Sequence, residues 1–166
     1  SIGDSPMVQI LDAYNSLLDK YTKDDIMILS PFNKGPVGTV AINKGIQSRY
    51  NPNPDTNAIR KISGGEEIMF KVGDKVINTH NEYHCPCFRI DEDGSLVESM
   101  SDIMVMNGDM GYIRYIKETD TGIVMAVEFG TGMARIYGPY MSNLLLGYAI
   151  SIHKSQGSEA KAVIVI

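Results

Sequence analysis

The sequence predicts an α/β domain on a parallel sheet, interrupted by a small antiparallel β-barrel. Three observations carry this. Helix, strand, loop and helix follow one another at the start, short strands joined by tight Gly turns fill the middle, and longer apolar runs return at the end. The 166 residues suffice for one ordinary domain or for two small ones sharing the chain.

SPMVQILDAYNSLLDK (residues 5–20) reads as a helix, with Ser5 as N-cap and Pro6 at the first helical position. Val8, Leu11 and Leu18 recur at helical spacing and are expected on its buried face. Asp24 and Asp25 turn the chain into IMILS, a short apolar run of the kind that forms a buried parallel strand. PFNKGPVGT is a loop by its Pro and Gly content, and VAINKGIQSRY is an amphipathic helix with Val40, Ile42 and Ile46 as its apolar members. NPNPDTNAIRKISGGEE then ends the helical region and marks a domain boundary or crossing loop.

From Ile68 the period changes. IMFKVGDKVINT alternates around a GD turn, GYIRYIKE alternates as well, and TDTG and FGTG are hairpin turns into IVMAVEF and MARIYG. After Gly138 and Pro139, LLLGYAISIH and AVIVI read as buried strands. The division expected is an α/β domain over residues 1–64 and 143–166, with the β insert over 65–142.

Composition narrows the function. A chain with 43% hydrophobic and 21% charged residues is of the soluble globular class. No apolar run approaches the ~18 residues of a membrane span, and no secretory signal is visible. Cys85 and Cys87, one residue apart, are too close for a comfortable disulfide and fit a reducing, cytoplasmic setting. The net charge of −5 argues against a surface that binds nucleic acid throughout. Phosphate needs only a local cluster, however, and Lys34, Lys44, Arg49, Arg60 and Lys61 stand against a single acid, Asp55, between positions 34 and 61.

Four groups of residues could carry chemistry. The strand–loop–helix IMILSPFNKGPVGTVAINKGIQ places backbone N–H groups and a helix N-terminus at a sheet edge, a geometry that favours a phosphate, with Lys34 adding charge and Asn33 a hydrogen bond. The GxxxxGK[ST] spacing is absent, and taken alone the stretch reads first as an ordinary βα loop. Gly73-Asp74 and Gly108-Asp109 read as tight turns at strand starts. His80, His84, Cys85 and Cys87 have the wrong spacing for the usual zinc knuckles, so they are expected on an exposed loop with no metal site. SIHKSQGSE gathers Ser151, His153, Lys154, Ser155, Gln156, Gly157 and Glu159, donors that suit phosphate or sugar oxygens. A nucleophilic pair of Ser151 and His153 on one strand lacks both an acid and a GxSxG elbow.

Together these blocks resemble the second motor domain of RecD-like superfamily 1 DNA helicases, the group of the exodeoxyribonuclease V alpha subunit. ILSPFNKGPVGTVAINKGIQ resembles that family's motif IV region, and GYAISIHKSQGSEAKAVIVI resembles motif V. FKVGDKVINTHNEY and NGDMGYI resemble the opening of the Src-homology-3-like barrel inserted in the second RecA-like domain. The resemblance covers nearly the whole chain. It implies an incomplete RecA-like domain of P-loop NTPase type carrying that barrel, as a fragment of an ATP-dependent, 5′-to-3′ DNA helicase of recombination and repair.

The resemblance also implies roles. Ser151 and His153 would contact single-stranded DNA, Gly157 and Glu159 would lie by the nucleotide, and Lys154 and Gln156 would link the two sites. Pro31, Asn33, Lys34 and Thr39 would touch the DNA backbone, and the barrel would act beside the separation pin or grip the strand. ATP and Mg2+ would be the cofactors of the whole motor. The partners implied are single-stranded DNA, the first motor domain and other recombination or repair subunits, with no membrane. Two departures stand out. The segment from about His84 to Val105 is longer than the family pattern and reads as an insertion. The 166 residues also hold no Walker A motif, no acidic magnesium motif and no motif VI arginine, so this piece alone is expected not to hydrolyse ATP. A non-catalytic nucleic-acid-binding module and a protein-interaction barrel are the alternatives from other classes.

Overall fold

Ser5 caps the first helix, α1 (Pro6–Leu18), by accepting the Val8 N–H on its Oγ at 3.3 Å. The computed structural model describes residues 5–52, 59–63 and 66–166, with the backbone alone at 59–63 and 66. Residues 53–58 and 64–65 of the Pro/Gly segment expected to mark the domain boundary, and the side chains of Arg60 and Lys61, lie outside the described residues. Two compact units result, Ser1–Pro52 with Gly147–Ile166, and Asn53–Leu146.

In the first unit, α1 buries Ile10 and Tyr14, with Met7, Leu11, Leu17 and Leu18 half-buried along the same stripe. Val8, expected on that stripe, is 42% exposed, because it sits about 100° around the helix from Met7. A 3-10 turn (Lys23–Asp25) leads into β1 (Ile26–Ser30), whose burial matches its unbroken apolar run. The helix α2 (Thr39–Tyr50) buries Ile42, Asn43, Ile46 and Gln47. Near the chain end, β11 (Ala149–Ser151) and β12 (Ala162–Val165) flank β1, and both pair parallel with it. The helices form one layer, α1 packing on α2 and β12 and α2 packing on β11. Tyr14 and Tyr50 tie the helices together with ring centroids 5.1 Å apart. Burial, with Tyr50 and Asp24 adding, pushes the Tyr14 hydroxyl up to about 12.

The second unit is antiparallel. β2 (Ile59–Ser63) and β3 (Glu66–Phe70) pair as a ribbon. The remaining strands are β4 (Lys75–Asn78), β5 (Glu82–Ile90), β6 (Leu96–Val105), β7 (Met110–Thr119), β8 (Gly122–Phe129), β9 (Gly132–Tyr137) and β10 (Leu144–Leu146). They form one sheet in the order β10-β4-β7-β8-β9-β5-β6. The expected closed barrel is corrected here: this sheet is open, since β10 and β6 end the order and are not paired to each other. At the β6 end the ladder with β5 is itself irregular. Pro86 faces Asp102 and Phe88 faces Glu98, which leaves Ser99, Met100 and Ser101 as a bulge opposite Cys87, with Met100 fully in solvent. The unit also reaches beyond residue 142, because Leu144–Leu146 pair with β4 in its sheet.

The two Gly-Asp turns share one design. Lys71 N–H donates to Asp74 Oδ2 at 2.7 Å while Asp74 N–H returns to Lys71 O, and Met106 and Asp109 repeat this at 2.9 and 3.0 Å. Gly73 and Gly108 take φ of +94° and +98°, which the turn requires and glycine adopts freely. His84, Cys85 and Cys87 are not on an exposed loop. They belong to β5, where period two sends both cysteines into the core, 1% and 5% exposed, and leaves His84 outside, 3.1 Å from Asp102. Among the described residues no three His, Cys, Asp or Glu side chains gather as a metal site, and no helix is long and apolar enough to cross a membrane.

Candidate nucleic-acid interface

The site is built on paired strand ends. Ser30, the last residue of β1, stands in register with Ser151, the last residue of β11. The loops that follow therefore leave the carboxyl edge of a parallel sheet side by side, the edge where open α/β sheets bind ligands. One loop carries Pro31, Asn33 and Lys34, all exposed, and the other carries His153, Gln156 and Gly157, exposed, with Lys154 half-buried.

The first loop is closed by its own backbone. Ser30 Oγ, fully buried, donates to Val37 O at 2.7 Å and accepts the Phe32 N–H at 3.2 Å. The N–H groups of Thr39 and Val40, at the start of α2, go to Phe32 O and Asn33 O at 2.9 and 3.2 Å. That corrects the expectation of a helix N-terminus offering its N–H groups to a phosphate: the loop's carbonyls have taken two of them. What remains is side-chain chemistry. Thr39 Oγ1 donates to Asn33 Oδ1 at 3.3 Å, which leaves the Asn33 amide hydrogens free to donate outward. Thr39 is thus a positioning residue, and Lys34 supplies the charge. A Cβ at Gly38 would sit 2.5–2.6 Å from Lys34 O and Asn33 O, so only glycine lets the loop fold back this tightly.

The second loop is a 3-10 turn (His153–Ser155) set on the end of β11. Ser151 Oγ accepts the Lys154 N–H at 3.3 Å, and Ser155 donates both N–H and Oγ–H to Ile152 O. The Ser151 hydroxyl hydrogen stays available to a ligand, whereas that of Ser155 is spent. Ser151 and His153 do not share a strand, because the turn begins at His153. Gly157, at φ +81°, reverses the chain into the crossover to β12. At the far end of that crossover Lys161 N–H donates to Asp25 O, beside the amino end of β1. Glu159, exposed, is two residues before it, so Gly157 and Glu159 lie along a limb that runs away from the edge carrying Lys34 and His153. Among the described residues, Lys34, His153 and Lys154 enter no ion pair.

Two residues that hold the site were not singled out by the sequence reading, Ser30 and Asn43. Asn43, 6% exposed on α2, donates from Nδ2 to Ala149 O at 2.9 Å and accepts the Ala149 N–H on Oδ1 at 2.8 Å. Its amide takes the place of a neighbouring strand for β11 and fixes the second loop relative to the helix that closes the first. The signal was present: Asn43 and Gln47 each follow an isoleucine of the buried stripe and share its face.

Residues 42–129, just over half of the chain, match the family described as the ATP-dependent RecD-like DNA helicase SH3 domain. The ATP-dependent RecD2 DNA helicase of Deinococcus radiodurans is 29% identical over 134 residues, which are 81% of this chain and 15% of that protein. The chain thus spans a small part of that relative's length. The crystal structure of Pif1 helicase from Candida albicans aligns at 15% identity with a TM-score of 0.44, covering 84% of this chain and 38% of that one.

Proposed function

Because the chain belongs to the family of the ATP-dependent RecD-like DNA helicase SH3 domain, we propose that it is part of an ATP-dependent DNA helicase and supplies that motor's grip on single-stranded DNA. One observation supports this above the others: Ser30 and Ser151 end adjacent parallel strands in register, so two donor-rich loops emerge together. Lys34 neutralises a phosphate, the Asn33 amide and Ser151 hydroxyl donate to phosphate or sugar oxygens, and His153 and Lys154 extend the same track. Thr39, Ser30 and Asn43 keep these groups in place, while Pro31 and Gln156 flank them.

The first loop does not fit the phosphates of ATP, since its first helical N–H groups are committed internally. We assign Gly157 and Glu159 to the side facing a nucleotide held with Mg2+ in the whole motor. Coupling would follow from continuity, as one segment of six residues joins the DNA-side turn to β12. Translocation from 5′ to 3′, a first motor domain, and recombination or repair partners belong to this same proposal.

Fluorescence anisotropy of the chain with labelled oligo-dT tests it. Binding should weaken with salt, Lys34→Ala should flatten the logarithmic salt slope by about 0.7, and His153→Ala should lower affinity. Binding indifferent to both substitutions, or absent altogether, overturns the assignment of DNA contact to these loops.

A further inference from the structure

Phe32 and Ile152 are large apolar side chains at the same sheet edge, 55% and 44% exposed. Phe32 lies two residues beyond Ser30 and Ile152 one residue beyond Ser151, so both follow the paired strand ends. Isolated exposed apolar residues are common on protein surfaces and need no explanation. These two differ in being held. Phe32 has its N–H bonded to Ser30 Oγ and its C=O to the Thr39 N–H, while Ile152 C=O accepts both the N–H and the hydroxyl of Ser155. Each is thus presented on a turn locked by its own backbone, amid the polar groups of Asn33, Lys34, Ser151 and His153.

Phosphate recognition has no use for such side chains, and a duplex keeps its base faces stacked inside. A single strand offers unstacked bases and sugars whose apolar faces alternate with phosphates along the chain. Resting on the single-strand reading above, we infer that Phe32 and Ile152 form an apolar wall contacting base or sugar faces of the bound strand. The loops then hold the strand on two kinds of surface, Lys34 and its neighbours on the phosphates and this pair on the bases. The contact is indifferent to sequence, because every base has such a face.

The probes are labelled oligo-dT and an abasic oligonucleotide of equal length, which carries the same phosphates and no bases. The chain should bind oligo-dT roughly tenfold more tightly, the worth of one stacked base. Phe32→Ala should remove most of that preference and Ile152→Ala part of it, whereas Phe32→Tyr should keep it. Lys34→Ala should weaken both probes alike. Equal binding of both probes by the unsubstituted chain overturns the inference without needing any variant. So does a Phe32→Ala chain that keeps the full preference, a result that fits Phe32 being covered by another protein surface. In either case Lys34-dependent binding leaves the DNA reading standing, whereas no binding of either probe removes both.

Discussion

Asn43 shows how much can rest on one side chain. Replacing it with Leu keeps the branched shape of the side chain and leaves the N–H and C=O of Ala149 buried without their partner. The expected cost is about 2–6 kcal/mol, read as a lower urea midpoint for the first unit, since each of the two orphaned groups costs about 1–3 kcal/mol. Cys85 carries a pH prediction for the second unit. Burial, with the Glu82 charge and Cys87 adding, pushes its thiol from 9.0 up to about 11. Below pH 9 the folded and unfolded states both keep the proton, and the stabilisation is fully present. Between pH 9 and 11 only the unfolded state ionises, so stability falls as pH rises through that window. Comparing urea midpoints of the unsubstituted chain and Cys85→Ala across this range isolates the effect from Tyr and Lys titration; equal slopes would refute it. Both residues were visible in the sequence as types. Their partners were not, because Ala149 is 106 positions from Asn43, and no local pattern pairs them.

At the scale of elements, the two site loops depend on glycine for different reasons and should respond differently. Gly38 has an ordinary φ and no space, so Gly38→Ala must push apart the carbonyls of Asn33 and Lys34. A cost of about 1–3 kcal/mol in thermal or urea unfolding is expected, together with weaker oligo-dT binding as Lys34 is displaced. Gly157 has open space and a left-handed φ, so Gly157→Ala should cost only about 1 kcal/mol and Gly157→Asn less. If Gly157→Ala proved the more disruptive, this division would be wrong. The Gly-Asp turns were readable from four residues each, since turn chemistry is local. The hairpin of β5 and β6 was not: the bulge at Ser99, Met100 and Ser101 shows only in the pairing, and with Glu98 and Asp102 it blunts an edge strand against further pairing.

For the whole molecule, charge and missing parts set the expectations. The chain carries a net −5, yet its site edge presents Lys34, His153 and Lys154, while Asp91, Glu92 and Asp93 stand at the turn between β5 and β6. The purified chain should show no DNA-stimulated ATP hydrolysis, because phosphoryl transfer needs a P-loop lysine, a magnesium site and an arginine that these residues do not include. A phosphate-release assay that detected such turnover would contradict this. The sequence by itself determined the first helix, β1, the Gly-turn hairpins and the α/β character, since IMILS, the capped first helix and the Gly turns are decided by neighbours within a few positions. It also determined the family, because the helicase-like blocks are linear strings. Tertiary structure alone decided which strand ends meet, that the β sheet stays open, that Cys85 and Cys87 face inward, and that α2 spends its first N–H groups on its own loop. Those outcomes depend on hydrogen bonds and packing between residues far apart in the chain, where periodicity carries no information.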